Sequence, residues 1–241
     1  MKGGILIIGS LFWDNNQGEK INFRKTWRNK RLNIKDKIHV KAPIRYGRTG
    51  LNKETYTMVF SSEIDKDEKF GTAYVVPFKN IEIKSFKGIL NQARFLSEAE
   101  RSNNKKLCKG NVDKWCTIGI LFNPNFDSVK KNKILKKWEK SIRKDDGLID
   151  HLDYCIEPEQ SILSNKGEIL INWLNPVDIN KKKELNSFDF IIATCTKQDL
   201  KKYPKSELLK ETFLNDKRKY FYKNIENGIT TFQDREILKQ I

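Results

Sequence analysis

Gly3-Gly4-Ile5-Leu6-Ile7-Ile8-Gly9-Ser10-Leu11-Phe12-Trp13-Asp14 is the stretch on which the reading of this chain turns. Ile5 to Ile8 is an unbroken apolar run bounded by glycines, so residues 3–9 read as a buried strand that stops in a Gly-Ser turn. A strand ending this way exposes consecutive backbone N–H groups, which cradle an anion or oxyanion without help from side chains. Gly9 lets another group come close to the backbone. A Gly-Ser turn alone is a weak signal, since most such turns merely reverse the chain. Ser10 has no evident histidine partner, which argues against a serine nucleophile.

Outward from this strand, residues 22–31 read as a short helix with Phe23 and Trp27 on one side. Residues 38–46 and 55–62 read as strands, and 70–78 as a third that ends near Pro77. The clearest helix is 85–102. Phe86, Ile89, Leu90, Ala93 and Leu96 fall on one stripe at about 100° per residue. Residues 114–122 return as a strand closed by Asn123-Pro124-Asn125, and 128–144 form a lysine-rich helix that docks Leu135, Trp138 and Ile142. Strands at 168–174 and 188–196 follow, then one helix over 205–223. This is not the regular alternation of a doubly wound sheet. The expected class is α+β, a small mixed β-barrel or sheet with surrounding helices. Residues 1–125 would form the core, and 126–241 a helical and strand extension packed on it as one continuous domain.

Composition narrows the function classes. The chain has 241 residues, 38% hydrophobic and 32% charged, with 14 Phe, 7 Tyr and 5 Trp, which is enough apolar bulk for a core. No apolar run nears the roughly 20 residues that span a bilayer, and the N-terminal run is too short for a signal-peptide core, so a cytoplasmic protein is expected. Four scattered cysteines (Cys108, Cys116, Cys155, Cys195) suggest thiols, not a disulfide frame or zinc site. Two histidines, His39 and His151, leave no room for a His-built metal centre, and no metal or cofactor is expected. Asp150-His151-Leu152-Asp153 has side chains that could bind a metal, but one His and two Asp in a turn read more readily as polar surface.

The net charge of +16 points to an anionic small-molecule ligand, with nucleic acid as a disfavoured second class. Most of that charge is lysine, abundant together with Asn and Ile as AT-rich coding produces, so it reads largely as solvated surface. Arginine is scarcer and more telling. Five of the ten lie at 24, 28, 31, 45 and 48, and their planar forks suit a carboxylate or phosphate as well as simple ion pairs. Ala42-Pro43-Ile44-Arg45-Tyr46-Gly47-Arg48 is therefore a candidate anion loop, with Arg45, Tyr46 and Arg48 as binding residues. On the helix 85–102, Glu100 projects onto the apolar stripe and Glu98 falls off it. A carboxylate aimed at a core is costly unless paired or used, and an apolar setting suits carboxyls to acid/base work near neutral pH. The competing reading is a frayed helix end with Glu100 solvated, or a Glu100 that pairs with a nearby arginine.

Gly9-Ser10-Leu11 after a strand, further strands, Gly71-Thr72-Ala73-Tyr74-Val75-Val76-Pro77, then a helix carrying a Glu: this order resembles the γ-glutamylcyclotransferase-like superfamily over roughly residues 1–122. Gly-Ser-Leu-x-Trp-Asp together with Pro-Ile-Arg-Tyr-Gly-Arg is similar to a bacterial branch of it. The resemblance implies a small mixed barrel with helices outside. It also implies a substrate-binding loop at Gly9, Ser10 and Leu11, with Glu100 as the catalytic acid/base and Glu98 as the fallback. The implied reaction cyclises a γ-glutamyl amide, or a related amino-acid amide, releasing 5-oxoproline and an amine. The alternative is a binding module for a nucleotide or other anionic small molecule. The chain departs from the family in carrying Ile8 where a tyrosine is usual.

Overall fold

A computed structural model describes residues 1–16, 22–50, 55–79, 82–100, 116–146, 162–198, 203–217 and 219–241. The strand read from the opening run is β1 (Gly3–Ile7), and all five of its residues are buried. The other strands are β2 (Ile38–Ala42), β3 (Ile44–Thr49), β4 (Tyr56–Phe60), β5 (Gly71–Pro77), β6 (Cys116–Phe122), β7 (Asn175–Pro176) and β8 (Phe190–Thr196). Six of them form one sheet in the order β6-β8-β1-β5-β2-β7, and β3 and β4 make a separate two-stranded ribbon. β1 is parallel to β8 and antiparallel to β5. The expected barrel does not close: among the described residues this is a mostly open sheet with edges at β6 and β7. The α+β class stands.

β1 is apolar on successive residues because both faces of the sheet are covered. Leu6 and Ile8 point to one side, with Ile38, Val40, Ala73, Val75, Ile191 and Ala193. Over them lie Tyr46, Met58 and Phe60 of the ribbon and the late helices α5 (Ser206–Leu214), α6 (Tyr220–Glu226) and α7 (Phe232–Leu238). Ile5 and Ile7 point the other way, with Ile118, Ile120 and Ile192. That side is covered by α1 (Phe23–Arg31), α2 (Phe86–Glu100) and α3 (Ser128–Asp146). The small α4 (Lys182–Asn186) precedes β8. On α3, Leu135, Trp138 and Ile142 are buried while Lys130, Lys133, Lys136, Lys137 and Lys140 are exposed, the arrangement its periodicity predicts. Gly3 is required by packing: a Cβ there would collide with the Phe190 ring.

Three sequence expectations change, each for a local reason. The strand read over 38–46 is two strands, because Pro43 has no N–H for a ladder, and the chain crosses there from the sheet to the ribbon. The strand read over 168–174 is reduced to isolated bridges at Glu168 and Ile169. The helix read over 205–223 is broken. Asp216 Oδ2 accepts the Phe221 N–H at 3.0 Å, and Lys219 takes a left-handed φ of 54°, so α6 starts afresh in a new direction. β8, from beyond residue 125, sits between β6 and β1, so the sheet draws strands from both parts of the chain. Cys116 and Cys195 are buried free thiols. Cys108, Cys155 and Asp150-His151-Leu152-Asp153 lie outside the described residues. Among the described residues, no helix is long and apolar enough to cross a membrane, and no three His, Cys, Asp or Glu side chains gather as metal ligands.

The C-terminal helix is fastened by a capping box. Thr231 Oγ1 accepts the Asp234 N–H, and Asp234 Oδ2 accepts the Thr231 N–H at 2.6 Å. Asp234 Oδ1 also accepts the Tyr46 hydroxyl at 2.7 Å. Burial pushes the Asp234 carboxyl above its ordinary 3.8, against the hydrogen bonds from Thr231 and Tyr46. With the folded value raised, the folded state holds its proton longer. The stabilisation is complete below 3.8 and is lost as pH rises through the folded value. Urea denaturation across that window is expected to show wild type losing stability with rising pH and Asp234→Asn losing less. A wild-type–variant difference that stays constant with pH would contradict this.

Candidate functional site

The tip of β1 becomes a 3₁₀ turn, Ser10–Phe12. Phe12 N–H bonds Gly9 O at 3.0 Å, and the Trp13 and Asp14 N–H groups bond Ser10 O at 3.1 and 2.7 Å. The N–H groups of Ser10 and Leu11 lie ahead of these bonds and are not used by the turn.

The turn is fixed by two buried arginines four residues apart on α1, hence on one side of it. Arg28 Nη1 donates to Leu11 O at 2.6 Å and Asp14 O at 2.8 Å, and its Nη2 donates to Asn15 Oδ1 at 2.6 Å. Arg24 Nη1 pairs with Asp14 Oδ2 at 2.9 Å. Its Nε and Nη2 donate to the carbonyls of Ala99 and Glu100, each at 3.0 Å. Those carbonyls belong to the last turn of α2, where the helix itself supplies no donors, and a guanidinium satisfies them while opposing the negative helix end. One side chain thus joins the glycine turn to the helix that carries Glu100. Burial and the neighbouring Arg24 push the Arg28 guanidinium down to about 10, with Asp14 pulling it back, so it stays charged at neutral pH.

Glu100 falls where the periodicity of its helix placed it. Its side chain is 14% exposed, and a carboxylate oxygen lies 3.9 Å from Arg24 Nη2. Glu98, two residues earlier, is about 200° away around the helix and partly buried.

The opposite wall comes from α6. Trp13 Nε1 donates to Asn224 Oδ1 at 2.7 Å, and the Trp13 and Tyr220 rings sit 6.0 Å apart. A Cβ on Gly9 would stand 3.3 Å from the Tyr220 hydroxyl, so the missing side chain makes room for the phenol. Tyr220 is pushed up to about 12, chiefly by burial. A side-chain hydrogen bond from Asn224 and the Arg24 charge pull it down, and the Glu100 and Asp234 charges raise it further. At neutral pH Tyr220 is a neutral phenol. Beneath the turn, Phe12 stacks on Tyr74 at 4.6 Å, and Tyr74 on His39 at 4.8 Å.

Arg24 therefore joins the turn that holds Gly9, Ser10 and Leu11, through Asp14, to the end of α2 that carries Glu100, while Tyr220 stands against Gly9 and Asn224 against Trp13. The second predicted group lies elsewhere. Tyr46 is fully buried beneath Phe221, with its hydroxyl given to Asp234 and its N–H to Gln233 at 2.7 Å, so it offers no open face to a ligand. Arg45 pairs with Glu63 at 3.0 Å and lies 3.7 Å over the Tyr203 ring. Arg48 donates to Lys197 O at 2.7 Å. These cations serve the protein's own oxygens and rings, which is why the anion loop read from residues 42–48 does not form beside Gly9. An open hollow of about 590 Å³ near the C-terminus, lined by Glu68, Lys69, Phe232, Arg235 and Leu238 among others, shares no residue with the Gly9 site.

Sequence reasoning did not single out Trp13, Tyr220 or Asn224, and of the two readings it left open for the arginines the ion pair is the one seen at Arg24. The four-residue spacing in both pairs, 24/28 and 220/224, was the available signal. Arg24→Leu is expected to cost about 3 kcal/mol in urea denaturation, because it strands the helix-end carbonyls and Asp14. Arg24→Lys should lose most of that despite keeping the charge. The exposed neighbour change Lys25→Leu should stay within about 0.5 kcal/mol. Equal effects at positions 24 and 25 would refute the clamp. Comparison with family models, with curated proteins and with solved structures finds no match for this chain.

Proposed function

We propose that this chain is a γ-glutamylcyclotransferase-like enzyme that cyclises a γ-glutamyl amide, or a related amino-acid amide, and releases 5-oxoproline and an amine. Glu100 takes a proton from the substrate's α-amino nitrogen, which attacks the δ-carbonyl of the same molecule. A C–N bond forms and closes the five-membered ring. The Ser10 and Leu11 amides hold the developing oxyanion. As the amide C–N bond breaks, Glu100 returns the proton to the leaving nitrogen. Attack within one molecule removes the entropy cost of gathering two reactants, so orientation and proton transfer are the main tasks left to the protein. The scheme needs neither metal nor organic cofactor.

The observation that supports this reading is Arg24, whose guanidinium meets Asp14 of the glycine turn at 2.9 Å and the Glu100 carboxylate at 3.9 Å, so that turn and carboxylate share one cation. The Tyr220 hydroxyl bears on the family departure at Ile8: a phenol reaches the glycine turn from α6 instead of from the residue before Gly9. The alternative reading, an anionic ligand held by Arg45 and Arg48, gains no support from side chains engaged with Glu63 and Lys197 O.

The test is turnover of a panel of γ-glutamyl amines by the purified chain, scored as 5-oxoproline. Glu100→Gln should lower kcat by about 10²–10⁴-fold with cooperative unfolding retained, and Glu98→Gln by far less. Undiminished turnover in Glu100→Gln removes that residue from the chemistry. If wild type turns over none of the panel, the reaction itself is wrong.

A further inference from the structure

α3 docks one side on the core and crowds the other with charge of a single sign. Between Ser128 and Lys144 the sequence holds seven lysines and Arg143 against one acid, Glu139, whereas the whole chain holds 47 basic residues against 31 acidic ones. AT-rich coding accounts for lysine in place of arginine, but it does not strip acids from one helix. At about 100° per residue, Lys130, Lys133, Lys136, Lys137 and Lys140 fall within an arc of about 120°, opposite the buried Leu135, Trp138 and Ile142. All five are exposed. From Lys130 to Lys140 the row runs about 15 Å along the helix.

Among the described residues, no carboxylate pairs with any of the five. Lys131, on the flank of the row, takes Glu168. Of the five, Lys137 alone meets another group, its Nζ lying 6.0 Å from the centre of the Phe86 ring. Like charges three and four residues apart on a helix repel, so the row weakens the helix that carries it unless an anion lies against it.

The chemistry of the row selects its partner. The apolar side of α3 is spent on the core, and Val129 is the one large apolar side chain it exposes among the described residues, so little is left to enter a lipid interface. No aromatic ring is exposed on α3 to stack an unpaired base. Ammonium groups on flexible stems act as point charges that meet phosphates and do not read base edges. A straight row of unpaired cations fits a stiff polyanion of regular spacing, and a nucleic-acid duplex carries one charge per about 1.7 Å of its axis. We propose that the lysine side of α3 is a sequence-independent docking surface for the phosphate backbone of duplex nucleic acid. It shares no residue with the Gly9 site and stands or falls separately from the cyclisation.

The probe is a labelled duplex of about 20 base pairs and mixed sequence, as DNA and as RNA, titrated with the full chain by fluorescence anisotropy between about 50 and 200 mM KCl. With four to five phosphates neutralised, log K is expected to fall against log salt with a slope of about −4, or about 10²-fold over that range. Lys130→Gln, Lys133→Gln, Lys136→Gln and Lys140→Gln combined should weaken binding at least about tenfold at low salt and flatten the slope to about −1. The same change at the scattered, exposed Lys35, Lys66, Lys183 and Lys205 removes equal charge and should cost at most about threefold. If the first combination fails to unfold cooperatively, Lys136→Gln alone should reduce the slope by about 1. Equal losses in the two combinations, binding of neither duplex, a flat salt dependence, or tighter binding to phosphatidylserine vesicles than to either duplex overturns the proposal. Binding of one duplex form and not the other upholds it and names the form.

Discussion

Two guanidinium groups hold together the end of the molecule that carries the Gly9 turn. Arg24 and Arg28 reach from one side of α1 to the carbonyls of the glycine turn, to Asp14 and to the last carbonyls of α2. Leu11 and Phe12 anchor the turn to the core, and the arginines satisfy the carbonyls that packing alone would leave unpaired. An arginine fork suits the task because its five donors are planar, permanently charged and weakly hydrated, so several buried oxygens can share one side chain. Fixing the carbonyls of the turn toward α1 also fixes the plane of each peptide, and therefore where its N–H groups lie. The clamp sets the distance between the Gly9 turn and Glu100, on which any joint action of the two depends.

The sheet supplies the second constraint. β1 lies between β8 and β5, with apolar layers on both faces, so its C-terminal tip is placed by the most heavily packed part of the fold. Functional groups on loops gain precision from such a scaffold. α2 starts near Ile83, whose carbonyl accepts the Met1 amino group at 3.1 Å, and ends at Arg24, so it runs alongside β1 and delivers Glu100 to the same end of the sheet. The C-terminal part closes the other side. The turn at Gly228, with a φ of 73°, offers its carbonyl to His39 Nε2 and Thr72 Oγ1, each at 2.8 Å, and so ties the end of α6 back to β2 and β5. Tyr220 and Asn224 owe their position to that attachment and to the break at Asp216.

Much of the fold was legible because it follows from local patterns. The opening run, the 3.6-residue stripe of α2 and the docked stripe of the lysine-rich α3 each announce one element and its buried side, and Glu100 could be placed on the inner side of its helix from the same arithmetic. The failures share a different origin. Barrel closure depends on the strand order and edges of the whole sheet, to which no single segment refers. The chain 205–223 has helical character throughout, and only the capture of the Phe221 N–H by Asp216 divides it. Arg45, Tyr46 and Arg48 had the chemistry of an anion loop, but burial gave Tyr46 to Asp234, and neighbours far along the chain took the two cations.

The amino-acid sequence by itself determined the strongly periodic elements, the opening strand and the helices α2 and α3, with the side each buries, because hydrophobic periodicity is a local code that such an element carries in full. Which of the scattered polar groups meet was decided only by tertiary structure. Arg24, Trp13, Tyr220 and Asn224 come from three separate segments, and no pattern within any one of them specifies a hydrogen bond to another. Such contacts exist only after β1, α1, α2 and α6 have packed, when each buried donor must take whichever acceptor the packing leaves within reach.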